Sequence, residues 1–323
     1  MHPHSLPVLA LLGPALSAPV LSTPALPVSN ALQNILDNTD NSELYTYPTA
    51  LTQGIIPKPI HSHNDYWRPI PFYSALAVGA ASIEADVWLF DDTLLVGHEE
   101  AALTPVRTFD SLYIQPILDV LSQTNPANSP YVDASAKPNG VFDTASGQTL
   151  FLFVDVKTDG PETWPYVVQA LAPLRSAGYL TTFNGTGVTQ GPVTVIGTGN
   201  TPQANFTTDA PRDYFLDANL ALLSDEQSNI TAAVSPVAST QFSRYVGEIN
   251  GTEFNATQLG IVREQIGVAA ERGILARYWD TPGWPVGTRN AVWRTLIEEG
   301  VGLLNADDLA AAAGYVGTTE PFQ

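Results

Sequence analysis

Residues 79–99 read GAASIEADVWLFDDTLLVGHE. The stretch from Ala81 to Phe90 is a strand candidate in which side chains alternate with period two. Ser82, Glu84 and Asp86 therefore share one face, while Ile83, Ala85 and Val87 share the other. A strand with apolar residues this dense belongs in a parallel sheet, where both faces are covered. Inward carboxylates in that setting carry a steep desolvation cost unless a cation compensates them. A divalent metal would do so. After Phe90 come an Asp-Asp turn and the LLVGHE segment with His98.

Working outward, short apolar runs alternate with helical patterns from residue 57 onward, which argues βα units around a parallel sheet. The strand candidates are Ile60 to His63, Ala81 to Phe90, Leu150 to Thr158, Pro192 to Gly197, Tyr214 to Asp217, Ala232 to Ala238, Gly273 to Trp279 and Val301 to Asn305. Helical patterns cover Pro71 to Val78, Phe109 to Ser122, Trp164 to Ala177, Gln258 to Arg272 and Thr288 to Glu299. The expected class is α/β. In FLFVDVKTD, Asp155 and Lys157 again share a face at the C-terminal end of a hydrophobic strand, adding a third carboxylate and a cation.

His61, His63 and His98 fall close together, and no histidine follows His98. Metal centres that begin with H-x-H and recruit further histidines from later strands are thereby excluded. Hard oxygen ligands select Mg²⁺, with Ca²⁺ as the alternative, over zinc or copper. One Mg²⁺ held by Glu84, Asp86 and Asp155 is the expected assembly, at the strand ends where α/β barrels carry their chemistry. Glu84 and Asp86 cannot act as a glycosidase pair, because two residues apart on one strand they cannot flank a glycosidic bond. His63 is expected beside the substrate, and Trp279, near a strand end, is the best aromatic candidate among Trp67, Trp88, Trp279 and Trp284 for a wall of the cleft.

The chain has 323 residues and a formal charge of −19, which excludes a nucleic-acid binder working by phosphate neutralisation. With 44% hydrophobic and 14% charged residues it has the material for a large core. It has no cysteine, so disulfides and thiolate metal sites are impossible. Leu6 to Ala18 resembles a signal-peptide apolar region, and sequons stand at Asn184, Asn205, Asn229, Asn250 and Asn255; together they predict a secreted glycoprotein. The expected organisation is a signal peptide over 1–18, a flexible segment over 19–52 and one barrel over 53–323. A monomer without stable membrane insertion is expected, acting on a small-molecule or lipid phosphodiester.

His61, the E-x-D strand after Gly79-Ala80, and the hairpin ending at His98 resemble the glycerophosphodiester phosphodiesterase superfamily, with its PLC-like phosphodiesterase barrel. The motifs HSHNDYW, EADVW, LLVGHE, VDVKTD, RYWDTP and LNADDL resemble more closely the fungal altered-inheritance-of-mitochondria type proteins. The resemblance implies a (β/α)₈ TIM barrel, one Mg²⁺ held by Glu84, Asp86 and Asp155, and phosphodiester cleavage by His61 and His98 as acid and base. It implies substrate contact by Lys157, and the His61-x-x-Asn64 spacing is similar to that of venom phospholipase D enzymes, which adds Asn64. Those enzymes carry disulfides and this chain carries none. The superfamily's H-R-G is replaced by His61-Ser62-His63, which leaves the alcohol groups on the phosphate open. The competing reading is a secreted barrel that binds a metal or a phosphorylated ligand without turnover.

Overall fold

The computed structural model describes residues 30–38, 47–127, 129–133, 136–208 and 210–316. The expected signal peptide and much of the expected flexible segment lie outside these residues. Two compact units are distinguished, Met1–Tyr47 and Pro48–Gln323. In the first, helix α1 spans Asn30–Asn38.

The second unit is built on strand β1 (Lys58–Ser62), helix α2 (Tyr73–Val78), β2 (Ala80–Phe90), β3 (Thr93–Val96), α3 (Gln115–Thr124), β4 (Leu150–Val156), α4 (Gly160–Ala170) and α5 (Ala172–Ser176). It continues through a small hairpin of β5 (Thr182–Phe183) and β6 (Val188–Thr189), then β7 (Val193–Gly199), α6 (Ala204–Thr208), β8 (Phe215–Asn219), β9 (Val237–Gln241) and α7 (Phe242–Tyr245). It ends with α8 (Ala256–Glu271), β10 (Leu275–Trp279), α9 (Val286–Glu298), β11 (Leu304–Ala306) and α10 (Leu309–Val316). The strands run in the order β10-β9-β8-β7-β4-β2-β1-β11, all parallel along that path. A parallel bridge between Arg277 and Leu303 brings β10 to β11 and nearly closes the ring. This is an eight-stranded (β/α)₈ TIM-barrel-like fold, as the alternation of elements predicts.

The two faces of β2 are sorted as read from the sequence. Ile83, Ala85 and Val87 face outward into the large core shared with the helices, which also takes in Trp164, Val262 and Leu296. The inward face pairs Ser82 with Phe151, Glu84 with Phe153 and Asp86 with Asp155 across β2 and β4. The lower interior is apolar, made of Phe151, Phe153, Ile196, Phe215, Val237 and Leu303. The carboxylates Glu84, Asp86, Asp155 and Asp217 lie in the upper layers, while at the lower end the buried Arg212 guanidinium stacks over Phe183 and Phe215.

One strand is displaced. The run expected over Ala232 to Ala238 is a turn at 231–234, and β9 starts only at Val237. Pro236 has no N–H to give a ladder, and the Ser235 hydroxyl donates to Val237 O at 2.6 Å while accepting from Ala218 N at 3.0 Å. The polar VASTQ stretch remains strand because its Ser239 faces a buried arginine and its Thr240 bonds Asn219 at 3.1 Å.

Candidate active site

Hairpin geometry delivers the first group. Asp91 and Asp92 occupy positive φ (44° and 61°), the conformation that a two-residue hairpin turn between twisted strands requires. Val87 then lies opposite Val96, Gly97 N donates to Asp86 O at 3.2 Å, and the Trp88 indole donates to Gly97 O at 2.7 Å. His98 therefore ends with Nδ1 3.5 Å from Asp86 Oδ2 and 3.2 Å from the Tyr66 hydroxyl. Trp67 packs edge-on against the His98 ring with centroids 5.2 Å apart.

Asp86 itself is buried. Its Oδ2 takes the Tyr66 hydroxyl at 2.7 Å and Lys157 Nζ at 2.9 Å, and Lys157 also reaches Asp155 Oδ2 at 2.9 Å. Burial, with Glu84 and Asp155 nearby, pushes the Asp86 carboxyl up to about 7. Burial likewise raises Asp155 and outweighs Lys157, while Lys157 is raised, because the two carboxylates overcome its own desolvation. Gly199, at φ +64°, closes the site from β7; a Cβ there would stand 2.0 Å from Asp155 Oδ1.

The His61-Ser62-His63 segment brackets Glu84. His61 is fully buried, with Nδ1 2.7 Å from Ser82 Oγ and Nε2 3.5 Å from Glu84 Oε2. Burial and Arg277 push His61 down to about 3, so the ring is neutral. An ionised Glu84 only accepts, which assigns the proton to Nε2 and makes Ser82 the donor to Nδ1. Burial raises Glu84, yet the His61 hydrogen bond and the Arg277 guanidinium overcome it and hold the carboxyl well below the usual range. Asn64, in the left-handed conformation at φ 48°, donates its backbone N–H to Glu84 Oε2 at 2.9 Å. His63 presents Nε2 3.9 Å from the same oxygen, and its Nδ1 is held by Asp307 Oδ1 at 2.9 Å.

The third wall comes from β8 and β10. Arg277 is buried, its Nε donating to Asn305 Oδ1 at 3.0 Å and its Nη1 to Ser239 Oγ at 3.2 Å. It lies 3.7 Å from Glu84 Oε1, 3.9 Å from Asp217 Oδ2 and over the Phe153 ring. Burial raises Asp217 to about 6, against the pull of Arg277.

These groups line a cavity of about 360 Å³ bordered by His63, Asn64, His98, Lys157, Asp217 and Trp279, among others. Larger clefts elsewhere, of about 420 and 670 Å³, have no such cluster. His63, Asn64, Glu84, His98, Asp155, Lys157 and Trp279 thus meet where the sequence places them; Asp86 stands directly behind, and His61 is sealed under Glu84. Tyr66, Arg277, Asp217 and Asp307 were not singled out from the sequence. A charged residue on the inward face of an apolar strand, the signal that marks Glu84, is also present in Arg277 and Asp217.

Glu84, Asp86 and Asp155 each offer an oxygen within 4.8 Å of the others. The donor set is wholly hard oxygen, and buried Asp86 Oδ1 has no hydrogen-bond partner. A hard divalent cation fits both features.

The molecule is a TIM-barrel-like protein with an acidic, lysine-bearing mouth. The profile of the AIM6-like phosphodiesterase domain matches residues 49–217. The chain is 54% identical to the altered inheritance of mitochondria protein 6 homolog of Arthroderma benhamiae, over 93% of this chain and 98% of the relative. It is 38% identical to altered inheritance of mitochondria protein 6 of Eremothecium gossypii, over 79% of this chain and 69% of that protein. The identity to the Saccharomyces cerevisiae protein of that name is 34%, over 82% and 73%. The chain belongs to the altered inheritance of mitochondria protein 6 family. These names contradict the expectation of secretion, since they tie the relatives to inheritance of an organelle inside the cell. The extracellular localisation is withdrawn.

Proposed function

We propose that the protein is a metal-dependent phosphodiesterase cleaving a glycerophosphodiester or phospholipid-type substrate in the cavity at the barrel mouth. The observation that carries this reading is the meeting of three oxygen ligands, one ammonium and two cavity-facing imidazoles around a single pocket. Phosphodiester cleavage needs charge on a non-bridging oxygen neutralised, a nucleophile deprotonated and a leaving alkoxide protonated.

Glu84, Asp86 and Asp155 would hold Mg²⁺, or Ca²⁺, which when bound supplies Lewis-acid stabilisation of phosphate charge. Lys157, between Asp86 and Asp155, adds a fixed positive charge on the same side. Arg277 adds a second from the opposite wall, oriented by Asn305 and Ser239. His98 turns Nδ1 toward Tyr66 and Asp86, which leaves Nε2 for proton transfer at the cavity. His63, its Nδ1 anchored by Asp307, offers Nε2 from the facing side. The family resemblance gives that second proton role to His61; the geometry favours His63, because His61 is closed off and both its nitrogens are engaged. In this scheme His61 orients Glu84, Asn64 fixes the same carboxylate through its backbone, and Trp279 walls the substrate.

The test is turnover of a chromogenic aryl phosphodiester with Mg²⁺, with EDTA, and with His98→Asn, His63→Asn and His61→Asn proteins. The expected result is metal-dependent turnover that His98→Asn and His63→Asn each reduce by about 10²-fold or more. Metal-stabilised folding without turnover on any diester would leave a binding protein instead. Phosphorus NMR of the product separates attack by water from cyclisation by a substrate hydroxyl.

A further inference from the structure

Of the six tryptophans, Trp164 and Trp293 are buried, whereas Trp67, Trp279 and Trp284 are 56%, 37% and 79% exposed. All three exposed rings follow, or end, a strand at the C-terminal mouth: Trp67 after β1, Trp279 at the end of β10, Trp284 in the loop beyond it. Ile70, 60% exposed, stands in the first of these loops, and Val286, 42% exposed, opens α9 directly after the second. The loops share one support. Arg68, from the first, donates to Asp307 O, and Arg289, at the start of α9, pairs with Asp308 at 2.8 Å. Pro282 and Pro285 fix the backbone φ on either side of Trp284. These apolar side chains are therefore exposed in the segments that follow β1 and β10 at the cavity end of the barrel.

We propose that this rim seats on the surface of a zwitterionic lipid membrane, with Trp67, Ile70, Trp284 and Val286 in the interfacial layer and the cavity facing the headgroups. The inference rests on the phosphodiesterase reading for its consequence, that the diester entering the cavity belongs to a lipid of that surface. Tryptophan suits the role because one end of the ring is apolar and the other carries an N–H. Charge selects the lipid. Anionic membranes attract free basic clusters by about 1 kcal/mol per Lys or Arg, but Arg68 and Arg289 are taken up by Asp307 and Asp308, and the chain carries −19 overall. Contact must therefore be apolar. No helix among the described residues is long and apolar enough to cross a membrane. Continuity with the site is direct, since Trp67 touches the His98 ring and Trp279 lines the cavity.

The experiment measures partitioning of the full chain onto phosphatidylcholine vesicles, by co-sedimentation and by tryptophan emission, with and without added phosphatidylserine. The Ile70→Ser, Trp284→Ala protein is compared in parallel. The expected results are a blue-shifted emission on phosphatidylcholine, no gain from phosphatidylserine, and partitioning about tenfold weaker in the variant. Turnover of the soluble aryl diester stays unchanged in that variant. No partitioning by the unaltered protein, partitioning that the substitutions leave intact, or binding only to anionic vesicles would each overturn the proposal. Concentration-dependent self-association abolished by the same substitutions would overturn it too, by making the rim an interface between copies. Partitioning without turnover on any diester sustains the docking surface and refutes the phosphodiesterase reading, so the two failures are distinguishable.

Discussion

The two ends of the barrel solve the same problem in opposite ways. At the N-terminal end the polar interior is a chain of hydroxyls: Thr149 to Thr194 at 2.9 Å, Thr194 to Thr181 at 2.7 Å, and Gly191 N donating to Thr181 at 2.9 Å. Below the site the rest is phenylalanine and aliphatic packing, with the Arg212 guanidinium stacked over Phe183 and Phe215. At the C-terminal end four carboxylates face two cations, and Asp86 Oδ1 and Asp217 Oδ1 are buried without a partner. A buried polar group without a partner costs about 1–3 kcal/mol. Two such carboxylate oxygens gather at the C-terminal end, where a hard cation would complete that of Asp86.

The sharpest way to break this comparison is at His98. His98→Asn is expected to lower diester turnover by about 10²- to 10⁴-fold, leaving the melting temperature nearly unchanged, because the side chain is half exposed and packs mainly on Trp67. A large stability loss would instead make the ring a structural part of the mouth. Next comes Asp217, whose carboxyl is raised from 3.8 to about 6. For such a group the native state binds the proton more tightly than the unfolded state, so stability falls as pH rises through that window and the loss is complete above it. The cost at pH 7 is up to roughly 3 kcal/mol. Asp217→Asn should therefore raise the melting temperature more at pH 7 than at pH 4, and an equal change at both would refute the assignment.

Gly199→Ala probes the upper layer by shape. The added methyl meets Asp155, and turnover is expected to fall by about 10²-fold, with Mg²⁺ affinity reduced as well. Smallest is Thr194→Val at the lower end. It breaks the hydroxyl chain at its centre and is expected to lower stability by about 1–2 kcal/mol in a denaturant titration, with kcat/KM unchanged. An effect on turnover comparable to that of Gly199→Ala would erase the distinction between the ends.

Much of the upper layer was legible because alternation on one strand is a local rule. It put Ser82, Glu84 and Asp86 on one face, and the register with β4 brought Asp155 beside Asp86. His98 was placed by the family resemblance, and the β2–β3 hairpin is what carries it to Asp86. What sequence could not give is which strands face each other across the ring. Arg277 meets Glu84 only because β10 curls round to β11 and β1, and His63 meets Asp307 across 244 residues of chain. Tyr66 was hidden for another reason: it belongs to a short turn of 3-10 helix after β1, whose direction depends on Asn64 adopting a left-handed backbone. The displaced β9 shows the limit of hydropathy, since the polar side chains of Ser239 and Thr240 belong in a strand only once Arg277 and Asn219 are there to meet them.

The central claim is that Glu84, Asp86 and Asp155 hold one hard divalent cation. Calorimetric titration of Mg²⁺ into the unaltered chain and into Asp155→Asn, with folding checked by circular dichroism, tests it directly. The account expects a single site that the substitution weakens by about tenfold or more while the barrel stays folded. Equal affinity in the two proteins, or no Mg²⁺ or Ca²⁺ binding by the unaltered chain, would contradict it.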